Sequence, residues 1–125
     1  MIQRGRVFYV LSEADIVNPK NHYEWEQIEK VEFFPGCTRQ AIHTETMTVA
    51  RIHLAQGAVV PEHRHLNEQV SVVERGRLRF RVDGRDLILE AGQALVLDPD
   101  SPHGVEALEA CNVIDIFSPP REDWK

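Results

Sequence analysis

Six consecutive residues, Arg77-Leu78-Arg79-Phe80-Arg81-Val82, alternate between arginine and hydrocarbon, and Asp83-Gly84 follows at once. Side chains point alternately to opposite faces in an extended chain, so this pattern gives a strand one dry face; on a helix it would scatter the apolar groups. Asp-Gly suits the positive-φ positions of a tight hairpin turn. Other segments alternate in the same way. Across Thr46 to Leu54, Ala50, Ile52 and Leu54 share one face, opposite Val49, Arg51 and His53. Val70–Val73, Leu87–Leu89, Ala94–Leu97 and Asn112–Phe117 are further short apolar runs. Ala91-Gly92, Asp98-Pro99-Asp100 and Ser118-Pro119-Pro120 are turn signals between or after them. Many short strands with almost no helical period predict an all-β sandwich or barrel. Short connections make the pairing antiparallel, because parallel strands need long crossovers. The alternating arginines are expected to form a solvated outer face, with glutamates such as Glu74 and Glu90 as partners.

The chain has 125 residues, 42% of them apolar, which suits one packed domain over residues 1–125. Its core is expected at about 46–118, with the N-terminal segment packing on it. Residues 18–28 are polar and aromatic without a clean period, which fits a loop or one helical turn. Phe33-Phe34-Pro35-Gly36 reads as a turn after a short extended piece. A formal net charge of −6 argues against a nucleic-acid partner, which calls for a basic excess. The apolar run Val7–Leu11 is too short for a signal-peptide core, and no other run approaches a membrane span, so a soluble, cytoplasmic protein is expected. Cys37 and Cys111 lie in unrelated contexts and are expected as reduced structural thiols.

The chemistry is concentrated between Gly57 and Gly76. His63 and His65 are one residue apart and share a face in an extended segment; Gln69 keeps the same parity. Neutral imidazole is the commonest nitrogen ligand for zinc, copper, iron and nickel. A fourth ligand must come from elsewhere, and the turn Asp98-Pro99-Asp100-Ser101-Pro102-His103-Gly104 offers His103. Four protein ligands leave room for water or substrate on one divalent transition metal, whether nickel, zinc, manganese, iron or copper. His22, His43 and His53 have no such context and read as surface or structural residues, with His53 also able to line a cavity.

Gly57-x5-His63-x-His65-x3-Gln69-x6-Gly76 resembles the first cupin motif, with glutamine where glutamate is more usual. Gly92, Pro99 and His103 resemble the second, with Ala107 where asparagine is usual. The resemblance implies a double-stranded β-helix, that is, a jelly roll or small β-barrel, often dimeric. It also implies a metal inside the barrel held by His63, His65, Gln69 and His103. A neutral amide in place of a carboxylate should leave a bound metal more positive and more weakly held.

Near the C-terminus, Asp115 interrupts an apolar strand, sharing parity with Val113 and Phe117, and Arg121 follows the Pro119-Pro120 turn. A carboxylate on a core face is costly unless paired or usefully solvated. Two outcomes are open: an Asp115–Arg121 salt bridge tying down the chain end, or a general acid–base in the barrel mouth beside an arginine able to grip a substrate carboxylate. Asp115-x-Phe117-Ser-Pro-Pro-Arg121 resembles the signature of small pectin-degradation cupins, which convert 4,5-unsaturated uronates into linear keto-sugars. That resemblance implies an anionic sugar substrate and an isomerase-type activity. Asp115 and Arg121 would be the catalytic residues, with Phe117 and Arg121 binding substrate. The alternatives are an iron-dependent cupin dioxygenase and a non-catalytic metal- and sugar-binding cupin.

Overall fold

The computed structural model describes residues 2–4, 7–9 and 19–125. β1 (Ile2–Arg4) and β2 (Val7–Tyr9) pair with each other. Two 3₁₀ turns, Pro19–Asn21 and Trp25–Gln27, precede the main body, where a loop or helical turn was expected. Of the apolar run 7–11, residues 10 and 11 lie outside the described residues, as does Asn18. Among the described residues no helix is long and apolar enough to cross a membrane.

Ten more strands form two antiparallel sheets. They are β3 (Val31–Phe34), β4 (Cys37–His43), β5 (Thr48–Leu54), β6 (Val59–His63), β7 (Glu68–Arg75), β8 (Arg77–Val82), β9 (Arg85–Glu90), β10 (Ala94–Leu97), β11 (His103–Ala107) and β12 (Cys111–Ser118). One sheet runs β10-β7-β12-β5-β4-β3, the other β6-β11-β8-β9. The first supplies Ile52, Leu54, Val73, Val113 and Phe117 to a common core; the second supplies Val60, Leu78, Phe80, Leu89 and Ala107. The result is a double-sheet jelly roll rather than a closed barrel. Period-two burial is the reason: β8 buries Leu78 and Phe80 and exposes Arg77, Arg79 and Arg81.

Those arginines form the expected outer face. Arg77 pairs with Glu90 at 3.1 Å, Arg79 with Glu106 at 2.9 Å and Arg81 with Asp86 at 3.5 Å. All six side chains are well exposed, so the pairs add little stability. β3 and β4 extend the six-stranded sheet outside the 46–118 region. The buried Gln40 on β4 ties the preceding segment down, donating from its amide to the carbonyls of Trp25 and of Ile28, the latter at 3.0 Å. Both cysteines are buried and free, and burial raises both thiol pKa values, keeping them protonated.

Candidate active site

The two sheets bring His63, at the end of β6, His65, in the β6–β7 turn, and His103, at the start of β11, to one point. His63 and His103 are direct cross-strand partners. Gly104 matters here: a Cβ on it would meet Val60 O and Glu62 N at 3.1 Å, so glycine allows β6 to pass this closely. The ring centroids lie 4.5 Å (His63–His103), 4.9 Å (His65–His103) and 5.6 Å (His63–His65) apart. One ring nitrogen from each falls within 4.8 Å of the others.

Each imidazole has its tautomer set by the backbone. Nδ1 of His63 lies 2.8 Å from Pro61 O, that of His65 3.0 Å from Asn67 O, and that of His103 2.8 Å from Ser101 O. A carbonyl only accepts, so each Nδ1 carries the proton and each Nε2 presents a lone pair. Burial holds His103 down at about 4 and lowers His65 as well, with Arg121 adding to both, so these rings stay neutral at ordinary pH.

Gln69, buried on β7, completes the set. Its Oε1 lies 3.0 Å from His65 Nε2, while its Nε2 donates to Ser71 Oγ at 2.9 Å. Ser71 Oγ in turn donates to Asp115 Oδ1 at 2.6 Å. An ionised carboxylate only accepts, so it fixes the hydroxyl as a donor. The hydroxyl then accepts from the amide nitrogen, and the amide oxygen must face the histidines. Two lone pairs, His65 Nε2 and Gln69 Oε1, therefore face each other at 3.0 Å. That contact is repulsive on its own and becomes favourable around a cation. Ligand atoms about 2.1 Å from a shared ion and near right angles to each other lie about 3 Å apart. The donor set fits a divalent transition metal.

Asp115 is half-buried on the inner face of β12, opposite Ser71 in register, and Phe117 sits opposite Gln69. Burial raises the Asp115 carboxyl to about 6, against the lowering pull of Ser71, Gln69 and Arg121. His63, Gln69, His103, Asp115 and Phe117 share one cavity with an apolar lining that includes Ile52, Leu78, Phe80 and Val113.

Of the two outcomes left open for Asp115, the salt bridge to Arg121 does not form, and Arg121 acts on Asp115 only through space. Its guanidinium instead forms a two-pronged pair with Asp123, Nε to Oδ1 at 3.0 Å and Nη2 to Oδ2 at 2.9 Å. The reason is local: past the Pro119-Pro120 turn, the 3₁₀ turn Glu122–Trp124 folds Asp123 back onto Arg121. Arg121 N–H donates to Thr48 Oγ1 at 2.9 Å, and its guanidinium lies 4.8 Å from the Phe117 ring and 4.2 Å from the Trp124 ring. Asn67 clamps the same turn by donating to Pro119 O at 2.5 Å and Pro120 O at 3.3 Å.

Ser71, Asn67 and Trp124 lie at the site and were missed by sequence reasoning. Only Ser71 left a signal, sharing strand parity with Gln69. His53 is exposed, bonds Asn112 Oδ1 through Nδ1 at 2.9 Å, and does not line the cavity. His43 is held by Thr48 Oγ1 at 2.8 Å, and His22 is exposed.

The family model described as a cupin domain matches residues 50–117, from β5 through β12, and so spans both histidine segments. The chain is a cupin. It is 32% identical over 103 residues to the pectin degradation protein KdgF of Dickeya dadantii, covering 80% of this chain and 89% of that protein. The solved structure of KdgF from a Halomonas species superposes with a TM-score of 0.75 at 30% identity, covering 80% of this cupin and 94% of that one. An RmlC-like cupin from Shewanella frigidimarina superposes with a TM-score of 0.80 at 31% identity, covering 84% and 96%.

Proposed function

We propose that this cupin converts 4,5-unsaturated uronates, the products of pectin or alginate lyases, into linear keto-sugars. One observation carries the proposal: a carboxylate poised near neutrality stands on the same cavity wall as a histidine–glutamine donor set and is joined to it through Ser71. The likeness to two KdgF proteins, one of them a pectin degradation protein, supports the choice of substrate.

A divalent metal held by His63, His65, Gln69 and His103 would supply Lewis-acid polarisation of substrate oxygen atoms. The remaining work belongs to the chain. Asp115, with its carboxyl near 6, takes up and returns a proton close to neutral pH, as ring opening and enol-to-keto tautomerisation require. Phe117 packs against the sugar ring, and the apolar cavity wall keeps bulk water from the reacting atoms. Arg121 meets the substrate carboxylate at the mouth, in exchange for Asp123. Such sugars open slowly without a catalyst, so a general acid–base step worth about 10²–10⁴-fold is a sufficient contribution.

Loss of the unsaturated-uronate absorbance, followed with purified protein, tests this. Turnover should exceed the uncatalysed rate, fall on chelation and return with added divalent metal, without oxygen uptake. Fe(II)-dependent oxygen consumption would indicate a dioxygenase instead. Tight sugar binding without turnover would indicate a binding module.

A further inference from the structure

Two guanidiniums share one indole of the cavity wall. Arg121 Cζ lies 4.2 Å from the Trp124 ring centroid and Arg39 Cζ lies 4.5 Å from it. Arg39 reaches this point from the inner face of β4, where its register partner is the cavity-lining Ile52. It also lies 5.5 Å from the ring of Phe33. Phe33 and Trp124 both line the cavity, so Arg39 is held by two of its wall aromatics, in the adjoining depression that shares Trp124 with it. Such stacking fixes a guanidinium while leaving its N–H edge free to bond.

The charges around this pair do not balance. Among the described residues the guanidinium of Arg39 makes no hydrogen bond and no ion pair, its contacts being the two ring faces. Glu29 lines the shallow depression beside Arg39 without pairing with it, and Glu122 is taken by Lys125 at 3.1 Å. Asp123 is the carboxylate that acts on Arg39 through space, and both of its oxygens are already bonded to Arg121. Two guanidiniums thus share one carboxylate, in a chain whose net charge is −6. The repulsion is felt: burial first and then Arg121 lower the pKa of Arg39. The side chains also differ in how firmly they are placed. That of Arg121 is 10% exposed and that of Asp123 is 64% exposed, so the cation is fixed and the anion is hydrated and free to leave.

We infer that Arg39 and Arg121 form a two-guanidinium subsite for the carboxylate of the substrate, and that Asp123 is its resident counter-ion, displaced when the substrate enters. The inference rests on the proposed uronate activity for the identity of that anion. Before substrate arrives, Asp123 satisfies the fork of Arg121 and partly offsets Arg39. An incoming carboxylate takes the fork of Arg121, brings its charge beside the unpaired Arg39 and releases Asp123 to water. Asp123 is therefore a built-in competitor, and removing its charge should tighten binding. A purely structural Arg121–Asp123 pair would not behave in that way.

The test uses an unreactive sugar acid, glucuronate, with neutral glucose as control, titrated calorimetrically into the metal-loaded protein. Arg39→Met keeps the apolar stem over Trp124 and should weaken glucuronate binding by about tenfold, the value of one charge-assisted hydrogen bond. Arg39→Lys should retain part of the affinity. Asp123→Asn should bind glucuronate severalfold more tightly than the wild type. Glucose binding should be the same in all four proteins. Wild-type glucuronate affinity in Arg39→Met, or weaker binding in Asp123→Asn, overturns the inference, as does a wild type that does not distinguish glucuronate from glucose. Should Arg39→Met fail to fold, Arg39→Lys and Asp123→Asn still decide it. Turnover of the unsaturated uronate is measured separately. Glucuronate binding with these responses but no turnover removes the proposed activity and leaves the subsite. Turnover with Arg39→Met indistinguishable from wild type removes the subsite alone.

Discussion

Three backbone carbonyls decide what the histidines are. Pro61, Ser101 and Asn67 each accept a hydrogen bond from an Nδ1 and leave Nε2 open, so the lone pairs on offer are chosen by main chain rather than by other side chains. Gln69 is different, because its amide has two ends, and the Asp115–Ser71 pair chooses between them. Ser71→Ala should leave the fold intact but let the amide turn, lowering metal affinity by about 10–100-fold in competition with a chelating indicator. Unchanged affinity would remove Ser71 from the site. Titration should also show in the metal-free protein. His103 is held at about 4 against 6.5, so from pH 6.5 down to 4 the unfolded chain binds a proton that the folded chain refuses, and stability falls as pH falls. Asp115 is raised to about 6 from 3.8, so over nearly the same range the folded chain keeps a proton the unfolded chain has lost, and stability falls as pH rises. The two slopes oppose. Asp115→Asn removes one, and its melting temperature should climb more steeply between pH 4 and 6 than that of the wild type; parallel profiles would contradict the placement of Asp115.

Strand β8 was legible because arginine and hydrocarbon alternate on it without a break. β4, β6 and β11 were not. The inner face of β4 carries Cys37, Arg39, Ala41 and His43; Cys37 and Ala41 pack in or against the core, but the two polar residues between and after them break the apolar period. β6 contains Pro61 and ends in His63, and β11 opens on His103-Gly104, so the histidine cluster interrupts the hydrophobic code in both. Turn chemistry was more readable than its purpose. Gly76, between β7 and β8, has φ of 90°, and a Cβ there would come within 2.2 Å of Ala110 O and 2.7 Å of Cys111 Sγ. Gly84 has φ of 79° with nothing within 4 Å. Gly84→Ala should cost about 1 kcal/mol from backbone strain alone, and Gly76→Ala more than about 2 kcal/mol because the clash is with backbone. Equal losses in urea melts would show that the β7–β8 turn gives way more easily than its packing implies.

As a whole, the molecule puts a dry core and a polar site in one space between two sheets. The all-β fold could be read from the chain because strand parity encodes it, and the cupin resemblance named His63, His65, Gln69 and His103, of which the three histidines meet at one point with Gln69 against His65. The mouth could not. Arg121 has Asp123 two residues away and Asp115 six away, and spacing does not reveal that a 3₁₀ turn folds the nearer one back. Arg39 lies far upstream of Trp124, so their stacking depends on the sheet order β12-β5-β4 together with the 3₁₀ turn that carries Trp124. The central claim is that Asp115 moves the proton in a site organised by His63, His65, Gln69 and His103. It is tested most directly by unsaturated-uronate turnover of Asp115→Asn alongside its metal content. The variant keeps the shape of the carboxylate, so metal content close to that of the wild type with turnover lowered by about 10²-fold or more is the expected result. Wild-type turnover by a metal-replete Asp115→Asn would contradict it.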